Sequence, residues 1–220
     1  MSLQIANYEI RQVLVVEDNP SAREGYQDSL EDMEMDLKPV LEKGPLGNLE
    51  DYISDAIGRC DAAICDHHLK ESGYAVFNGA KLVAEMNRRQ RPAVLCTAWE
   101  EAGVDEIRLF RRYIPCLLKP GELDPETFRQ ALELCIGEFR GRFRPSRYPS
   151  RTLVRVEDVD RENAYVVLPG WNPQEVIRLT REAISPDVRS YLKAGARFHA
   201  RVNIGAERQD ELYFEQWEGK

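Results

Sequence analysis

The feature that most limits the fold of this chain is a set of four short apolar runs, each followed by a polar side chain. Runs of three or four apolar residues are typical of strands that are buried on both faces of a parallel sheet. Because parallel strands end at one edge of their sheet, the polar residues that follow them are expected to lie together. The runs, with the residues that follow, are Val13–Val16 with Glu17 and Asp18, Ala62–Cys65 with Asp66, Ala93–Cys96 with Thr97, and Cys116–Leu118 with Lys119.

Amphipathic segments separate these runs and are predicted to be helices. The predicted helices cover Pro20–Met33, Asn78–Arg89 and Pro125–Phe139, and Asp124 supplies an N-cap for the last. The region Leu37–Asp55 contains two glycine turns and is predicted as a weak strand followed by a loop. Strands that alternate with helices indicate an α/β fold with a doubly wound, five-stranded parallel sheet.

Beyond residue 150 the pattern changes to short segments in which apolar and polar residues alternate. This period of two is typical of antiparallel strands with one buried face. A short helix is predicted between Ser185 and Lys193. Five strands within roughly 70 residues indicate a small antiparallel β-barrel. The predicted strands are Thr152–Val156, Ala164–Leu168, Glu175–Leu179, Arg197–Ile204 and Leu212–Trp217.

The two parts of the chain also differ in charge. Residues 1–140 contain 16 basic and 26 acidic side chains, whereas residues 141–220 contain 14 basic and 12 acidic ones. Between them, residues 141–151 are rich in arginine, glycine and proline, which is typical of a linker. We therefore predict a first domain at 1–140, a linker at 141–151 and a small β-barrel domain at 152–220.

Composition excludes several classes of protein. No apolar run approaches the roughly 20 residues that cross a bilayer, and no secretion signal opens the sequence. The net charge of −8 argues against a protein that binds polyanions with its whole surface. The five cysteines form no CxxC pair, which fits a reduced compartment. We expect a cytoplasmic protein with no membrane partner.

The residues predicted at the sheet edge form a distinctive chemical set. Three carboxylates, those of Glu17, Asp18 and Asp66, repel one another at close range unless one is protonated or a cation lies between them. Carboxylate oxygens are preferred ligands of Mg²⁺. With the Thr97 hydroxyl and the Lys119 ammonium nearby, the edge could hold a phosphoryl group.

In these residues the sequence resembles the receiver domain of two-component response regulators, over roughly residues 11–139. The resemblance consists of Glu17-Asp18, Asp66, Thr97-Ala98 and Lys119-Pro120, which occur in the family's order. Thr97 follows Asp66 by 31 residues, and Lys119 follows Thr97 by 22. The interval of 48 residues from Asp18 to Asp66 is longer than usual, which we attribute to an insertion around 44–48. The resemblance implies a flavodoxin-like receiver fold.

The resemblance also implies a role for each residue. Asp66 is expected to accept a phosphoryl group from a sensor histidine kinase or a phosphotransfer protein. Mg²⁺ is expected to bind Asp18, Asp66 and the backbone carbonyl of His68, and to contact Glu17 through water. Thr97 and Lys119 are expected to bind the phosphoryl oxygens. Such a chain is a self-phosphorylating acceptor rather than an enzyme with a separate catalytic domain.

Three positions depart from the family's pattern. Cys116 stands where the family usually has the aromatic residue that couples the threonine to the output face, so the usual coupling route is not expected here. Tyr113 could substitute for that aromatic residue or could simply pack in a loop. Lys70 stands where a proline is common. Bulky His67, His68 and Trp99 are expected to hinder the water that hydrolyses an acyl phosphate, and so to slow autodephosphorylation.

The sequence leaves the role of the second domain open. The predicted barrel resembles OB-like barrels by pattern only, and it could serve as an output or a docking domain. The alternative is a nucleic-acid-binding regulator in which the first domain is a scaffold and the barrel binds single strands. Homodimer formation is a further expectation. The aromatic residues available for stacking are Tyr165, Trp171, Tyr191, Phe198, Tyr213, Phe214 and Trp217, with the arginines of the linker available for phosphates.

Overall fold

The computed structural model describes residues 2–33, 35–70, 72–97 and 103–219. The chain divides into two compact units that are discontinuous in sequence. The first contains residues 1–100 and 113–142, and the second contains residues 101–112 and 143–220. Residues 103–112, which lie inside the first predicted domain, thus group with the C-terminal part of the chain.

The first unit is built on a parallel sheet of five strands within the described ranges. Its strand order is β4-β3-β5-β6-β7, which is the doubly wound order of flavodoxin-like folds. The sequence prediction of a five-stranded parallel sheet is therefore confirmed. The strands are β3 (Gln12–Val16), β4 (Lys38–Leu41), β5 (Ala62–Cys65), β6 (Ala93–Cys96) and β7 (Leu117–Leu118).

Helices cover both faces of this sheet because its strands are apolar on both sides. One face packs against α1 (Pro20–Asp32) and α5 (Pro125–Phe139), where Val13, Val15, Leu30 and Phe128 form part of a buried core. The helices α2 (Leu49–Arg59) and α3 (Gly79–Arg88) contact strands β3, β5 and β6. Asn19 caps α1 by accepting hydrogen bonds from the amides of Ser21 and Ala22.

Two parts of the first unit differ from the sequence prediction. The region predicted as a loop after β4 contains α2, because Asn48 acts as an N-cap and accepts a hydrogen bond from the Asp51 amide. An antiparallel hairpin of β1 (Leu3–Ile5) and β2 (Tyr8–Ile10) precedes the sheet and buries Leu3, Ile5 and Ile10 in its core.

The second unit is an antiparallel sheet with strand order β10-β9-β8-β11-β12. The antiparallel architecture is as predicted, but a closed barrel is not found: within the described residues the edge strands β10 and β12 do not pair. The strands are β8 (Ser150–Val159), β9 (Asn163–Leu168), β10 (Asn172–Thr180), β11 (Arg197–Val202) and β12 (Phe214–Glu218). Register shifts in β10 and β12 interrupt the regular ladder near both edges.

Within the described residues, two α-helices accompany this sheet. The single turn of α6 (Pro186–Arg189) packs Val188 into a core formed by alternate residues of the strands, including Val154, Val166 and Phe198. The helix α4 (Val104–Phe110) also belongs to this unit. No helix in the described part of the chain is long and apolar enough to cross a bilayer.

Candidate functional site

Strand register brings the predicted site residues to one edge of the parallel sheet. Val16 on β3 pairs with Cys65 on β5, and Cys65 pairs with Leu95 on β6. Cys96 in turn pairs with Leu118 on β7. The polar residues after β3, β5, β6 and β7 therefore emerge at the same carboxyl edge, as the sequence predicted.

Three carboxylates meet at this edge. Oxygen atoms of Glu17, Asp18 and Asp66 all lie within 4.8 Å of one another. Glu17 is only 5 % exposed, whereas Asp18 and Asp66 are half-buried. A set of three hard oxygen donors this close is compatible with a divalent cation such as Mg²⁺.

Electrostatics supports this interpretation. Burial, together with the nearby charges of Asp66 and Asp18, raises the pKa of Glu17 to about 7, although a hydrogen bond from the Asn19 amide acts to lower it. Burial also acts to raise the pKa of Asp18. Hydrogen bonds with the Ser72 hydroxyl and the Glu17 carboxyl outweigh that effect and place the pKa of Asp18 below its ordinary value. Glu17 therefore holds a proton up to about neutral pH, and a cation would compete with that proton.

The backbone around Asp66 holds its side chain in place. The Asp66 amide donates to the Val16 carbonyl at 2.9 Å, and the His68 amide donates to Oδ2 of Asp66 at 2.6 Å. Gly79, the first residue of α3, approaches so closely that a Cβ atom there would lie 1.7 Å from the Asp66 carbonyl oxygen. Only glycine fits at that position without a backbone shift.

Thr97 and Lys119 complete the edge in different ways. The Thr97 amide donates to the Leu118 carbonyl at 2.9 Å, and its side-chain hydroxyl is buried. That hydroxyl has no hydrogen-bond partner among the described residues, which is a costly state for a buried polar group. Lys119 is exposed, and within the described ranges its ammonium makes no ion pair. Neither side chain has its polar group paired within the described residues.

Several contacts at the site were not predicted from the sequence. The Ser72 hydroxyl acts to lower the pKa of Asp18, and Nη1 of Arg23 donates to the Glu17 carbonyl at 2.8 Å. Tyr74 donates its hydroxyl to the Glu42 carbonyl at 2.8 Å, which ties the loop after Asp66 to the segment after β4. Loop side chains of this kind carry no periodic signal in the sequence, because their spacing is set by the tertiary fold.

The positions that depart from the family's pattern lie behind the site. Cys116 is partly buried and packs against the core between the sheet, α1 and α5. The Tyr113 ring lies under the Arg88 guanidinium at 4.2 Å, a contact that fits the packing interpretation of this residue. The hydroxyl of Tyr26 on α1 donates to Sγ of Cys96 at 3.3 Å, next to Thr97. Ala98 and Trp99 lie outside the described residues.

Most aromatic residues of the second unit serve its core. Phe198 and Tyr213 are buried, while Trp171 and the stacked pair Phe214 and Trp217 pack against the core of the sheet. Tyr191 is 67 % exposed and is the clear exception in this set. In the predicted linker, the Arg147 side chain is buried and donates to the carbonyls of residues 111 and 112. These contacts fit core packing better than base stacking.

Comparison with known proteins finds no family model and no curated protein that matches this chain. Solved structures of response regulators are similar to it at low identity. A response regulator receiver domain protein from Clostridium thermocellum is 10 % identical, with a TM-score of 0.44, over 60 % of this chain and 98 % of that one. The bacteriophytochrome response regulator AtBRR is 19 % identical, with a TM-score of 0.44, over 58 % and 94 % of the two chains. A manganese-bound response regulator, Rcp1, is 16 % identical, with a TM-score of 0.39, over 59 % and 94 %. No family is identified for the C-terminal sheet.

Proposed function

We propose that this protein is a response regulator of phosphorelay signalling that accepts a phosphoryl group on Asp66. The observation that carries the proposal is the convergence of three carboxylates within 4.8 Å, at the sheet edge where β6 ends in Thr97, whose buried hydroxyl has no hydrogen-bond partner among the described residues. A structural acidic cluster has no need of an unsatisfied hydroxyl beside it. An anion bound at this edge would satisfy that hydroxyl.

Each residue has a defined part in the transfer. An oxygen of Asp66 attacks the phosphorus of the donor, and the bond from phosphorus to the donor breaks with its electron pair leaving on the donor. The Thr97 hydroxyl donates to a phosphoryl oxygen, and the Lys119 ammonium, which has no described ion pair to give up, neutralises another. The His68 amide holds the Asp66 carboxylate in its orientation.

Glu17, Asp18 and Asp66, with the His68 carbonyl, are the residues that would hold Mg²⁺. When bound, the cation supplies the positive charge that lets three carboxylates and a phosphoryl group occupy one small volume. Without a cation, burial raises the pKa of Glu17, and the charges of Asp66 and Asp18 add a smaller contribution in the same direction.

The proposed partners follow from this chemistry. The phosphoryl donor is a sensor histidine kinase or a phosphotransfer protein, and the C-terminal sheet is an output or docking domain. The chain is a phosphoacceptor with slow autodephosphorylation rather than a turnover enzyme. In the alternative function, a nucleic-acid-binding regulator, the first unit would be a scaffold that no phosphodonor modifies.

Incubation with acetyl phosphate and Mg²⁺, followed by intact-mass measurement, separates these alternatives. We expect a single phosphoryl adduct on the wild-type protein and none on Asp66→Asn. Asp28→Asn is a matched control because Asp28 is an exposed carboxylate on α1, away from the cluster, and it should keep the adduct. Failure of small donors and of a phosphorylated phosphotransfer protein to modify the wild type would contradict the proposal.

A further inference from the structure

The segment between β4 and α2 starts from a fixed point of the first unit. The Glu42 amide donates to the Val15 carbonyl at 3.0 Å, which continues the pairing of β4 with β3. The Glu42 carboxylate accepts hydrogen bonds from the Tyr52 hydroxyl at 3.1 Å and from Nη2 of Arg59 at 2.7 Å, both on α2. Residues 42–48, here called the strap, are therefore anchored to the sheet and to a helix at their first residue.

The strap holds the loop that follows Asp66 through one tyrosine. The Leu46 amide donates to the Tyr74 carbonyl at 2.7 Å, and the Tyr74 hydroxyl donates to the Glu42 carbonyl at 2.8 Å. Gly44 lies so close to the Tyr74 ring that a Cβ atom there would collide with it. Leu46 is itself buried. The strap therefore restrains Tyr74 at its backbone, its ring and its hydroxyl.

From Tyr74 the contacts continue toward the acidic site. The Tyr74 amide donates to the Ser72 hydroxyl oxygen at 3.3 Å, and a hydroxyl that accepts one bond can still donate another. The same hydroxyl acts to lower the pKa of Asp18, as a donor near a carboxylate does. The strap, Tyr74 and Ser72 thus form a connected path to one of the proposed metal ligands.

The backbone of this loop also folds back beside the proposed phosphoacceptor. The Ala75 amide donates to the Leu69 carbonyl at 3.0 Å, and the Leu69 amide donates to the His67 carbonyl at 3.0 Å. Leu69 is fully buried. The His68 carbonyl, which the proposed site would use as a metal ligand, lies in sequence between these bonded residues. Restraint of Tyr74 therefore also restrains the backbone around His68.

Restraint of this kind bears directly on cation affinity. A cation that binds to a mobile loop must order that loop as well, and the lost conformational entropy lowers the affinity. A loop that is already held in place avoids this cost. The hydrogen bonds of the strap to Tyr74 supply such order before any cation arrives.

We propose that Tyr74 is a positioning residue, which uses the strap to order the loop of Ser72 before a divalent cation binds the acidic site. This inference rests on the proposed phosphoacceptor function, because that function is what requires the cation. The strap then sets the affinity for Mg²⁺, and it does not set the rate of phosphoryl transfer once the cation is bound.

Two measurements on the full chain test the proposal. Calorimetric titration with Mg²⁺ gives the affinity, and hydrogen exchange in a chelator gives the order of the loop without metal. Tyr74→Phe removes the bond to the Glu42 carbonyl, so it should weaken Mg²⁺ binding by about three- to tenfold, the effect of losing one hydrogen bond. It should also speed exchange of the Leu46 and Ala75 amides. Saturating Mg²⁺ should return its phosphorylation rate to the wild-type value.

Two control variants match the changes in the strap. Tyr52→Phe removes a hydroxyl that bonds to the carboxylate of Glu42 and not to its carbonyl, so the affinity for Mg²⁺ should stay as in the wild type. Gly44→Ala displaces the Tyr74 ring and should weaken Mg²⁺ binding, whereas Gly47→Ala should not, because a Cβ atom at Gly47 meets nothing within 4 Å.

A double-mutant cycle tests the path itself. Tyr74→Phe should cost much less Mg²⁺ affinity in a Ser72→Ala protein than in the wild type, because the two residues act in sequence. Fully additive losses would overturn the positioning role. Faster exchange with unchanged Mg²⁺ affinity would also overturn it and leave the phosphoacceptor function intact. A wild type that shows these differences in affinity but takes no phosphoryl group from any donor contradicts the proposed function alone.

Discussion

Gly79 and Asp66 are in backbone contact so close that any side chain at position 79 would collide with the Asp66 carbonyl, at 1.7 Å from its oxygen. The Gly79 amide also donates to the His67 carbonyl at 3.0 Å. The start of α3 therefore fixes the position of the loop that carries Asp66, the proposed phosphoacceptor. The proposed function of Asp66 therefore depends on Gly79, which has no side chain that could take part in the reaction.

We expect Gly79→Ala to lower the free energy of unfolding by about 1–3 kcal/mol, as overpacking against backbone does, and to slow phosphorylation of Asp66. Gly25→Ala is the control, since a Cβ at Gly25 on α1 meets nothing within 4 Å. That change should stabilise the protein by up to about 1 kcal/mol, because alanine favours the helix. Urea unfolding and adduct formation, measured on both variants, check the contrast.

Stability without metal should fall as pH rises through the interval in which Glu17 ionises. The pKa of Glu17 is raised from 4.5 to about 7, so the folded protein binds a proton here that the unfolded chain has already released. The resulting loss in the free energy of unfolding is absent below about pH 4.5 and complete above about pH 7. It amounts to up to about 3 kcal/mol. Urea unfolding in a chelator at about pH 5 and about pH 8 should show it in the wild type. A pH dependence of the same size in Glu17→Gln would exclude Glu17 as its source.

The same proton makes metal binding pH-dependent. Because a cation competes with the proton on Glu17, Mg²⁺ affinity should rise with pH up to about 7 and then level off. Calorimetric titrations in buffers of different ionisation enthalpy measure both the affinity and the proton released. In Glu17→Gln the proton release should vanish, while Asp18→Lys should abolish binding altogether. Undiminished Mg²⁺ binding by Asp18→Lys would place the ion elsewhere.

Ser72→Ala should weaken Mg²⁺ binding by about three- to tenfold, because it removes a polar group that stabilises the ionised form of Asp18 by about 0.5–1.5 kcal/mol. The Ser72 hydroxyl helps to keep the pKa of Asp18 low, and without it burial acts to raise that pKa. Ser54→Ala on α2 is a control, because the Ser54 hydroxyl donates only to the Glu50 carbonyl of its own helix. Equal affinities for the two variants would show that Ser72 does not position Asp18.

Thr97→Val should separate stability from function. Valine has nearly the shape of threonine, and it removes a buried hydroxyl that has no described partner, so stability should stay level or rise by about 1 kcal/mol. Adduct formation at Asp66 should nevertheless slow, and Thr97→Ser should restore it in part. Thermal unfolding and the phosphorylation rate are the two measurements. A fall in stability without a change in rate would mean that the hydroxyl serves the fold alone.

The sequence by itself determined the parallel sheet and the residues at its edge. The runs Val13–Val16, Ala62–Cys65 and Ala93–Cys96 are apolar at every position, a local pattern that already specifies strands buried on both faces. Parallel strands must end together, so the approach of Glu17, Asp66 and Thr97 to one edge followed from the strand assignment alone. The helix Leu49–Arg59 was missed because Asn48 was interpreted as part of a turn when it is an N-cap.

Only the tertiary structure decided which residues contact the edges of the second sheet and what surrounds the site. Nothing in the local sequence of Arg108 distinguishes a surface arginine from one that bonds to Arg178 and Gln209, because those carbonyls lie 70 and 101 residues further along the chain. The same holds for the contact between Ser72 and Asp18. Periodicity reports which face of an element is buried. Which other element packs against that buried face depends on long-range contacts. Such contacts group residues 103–112 with the second unit.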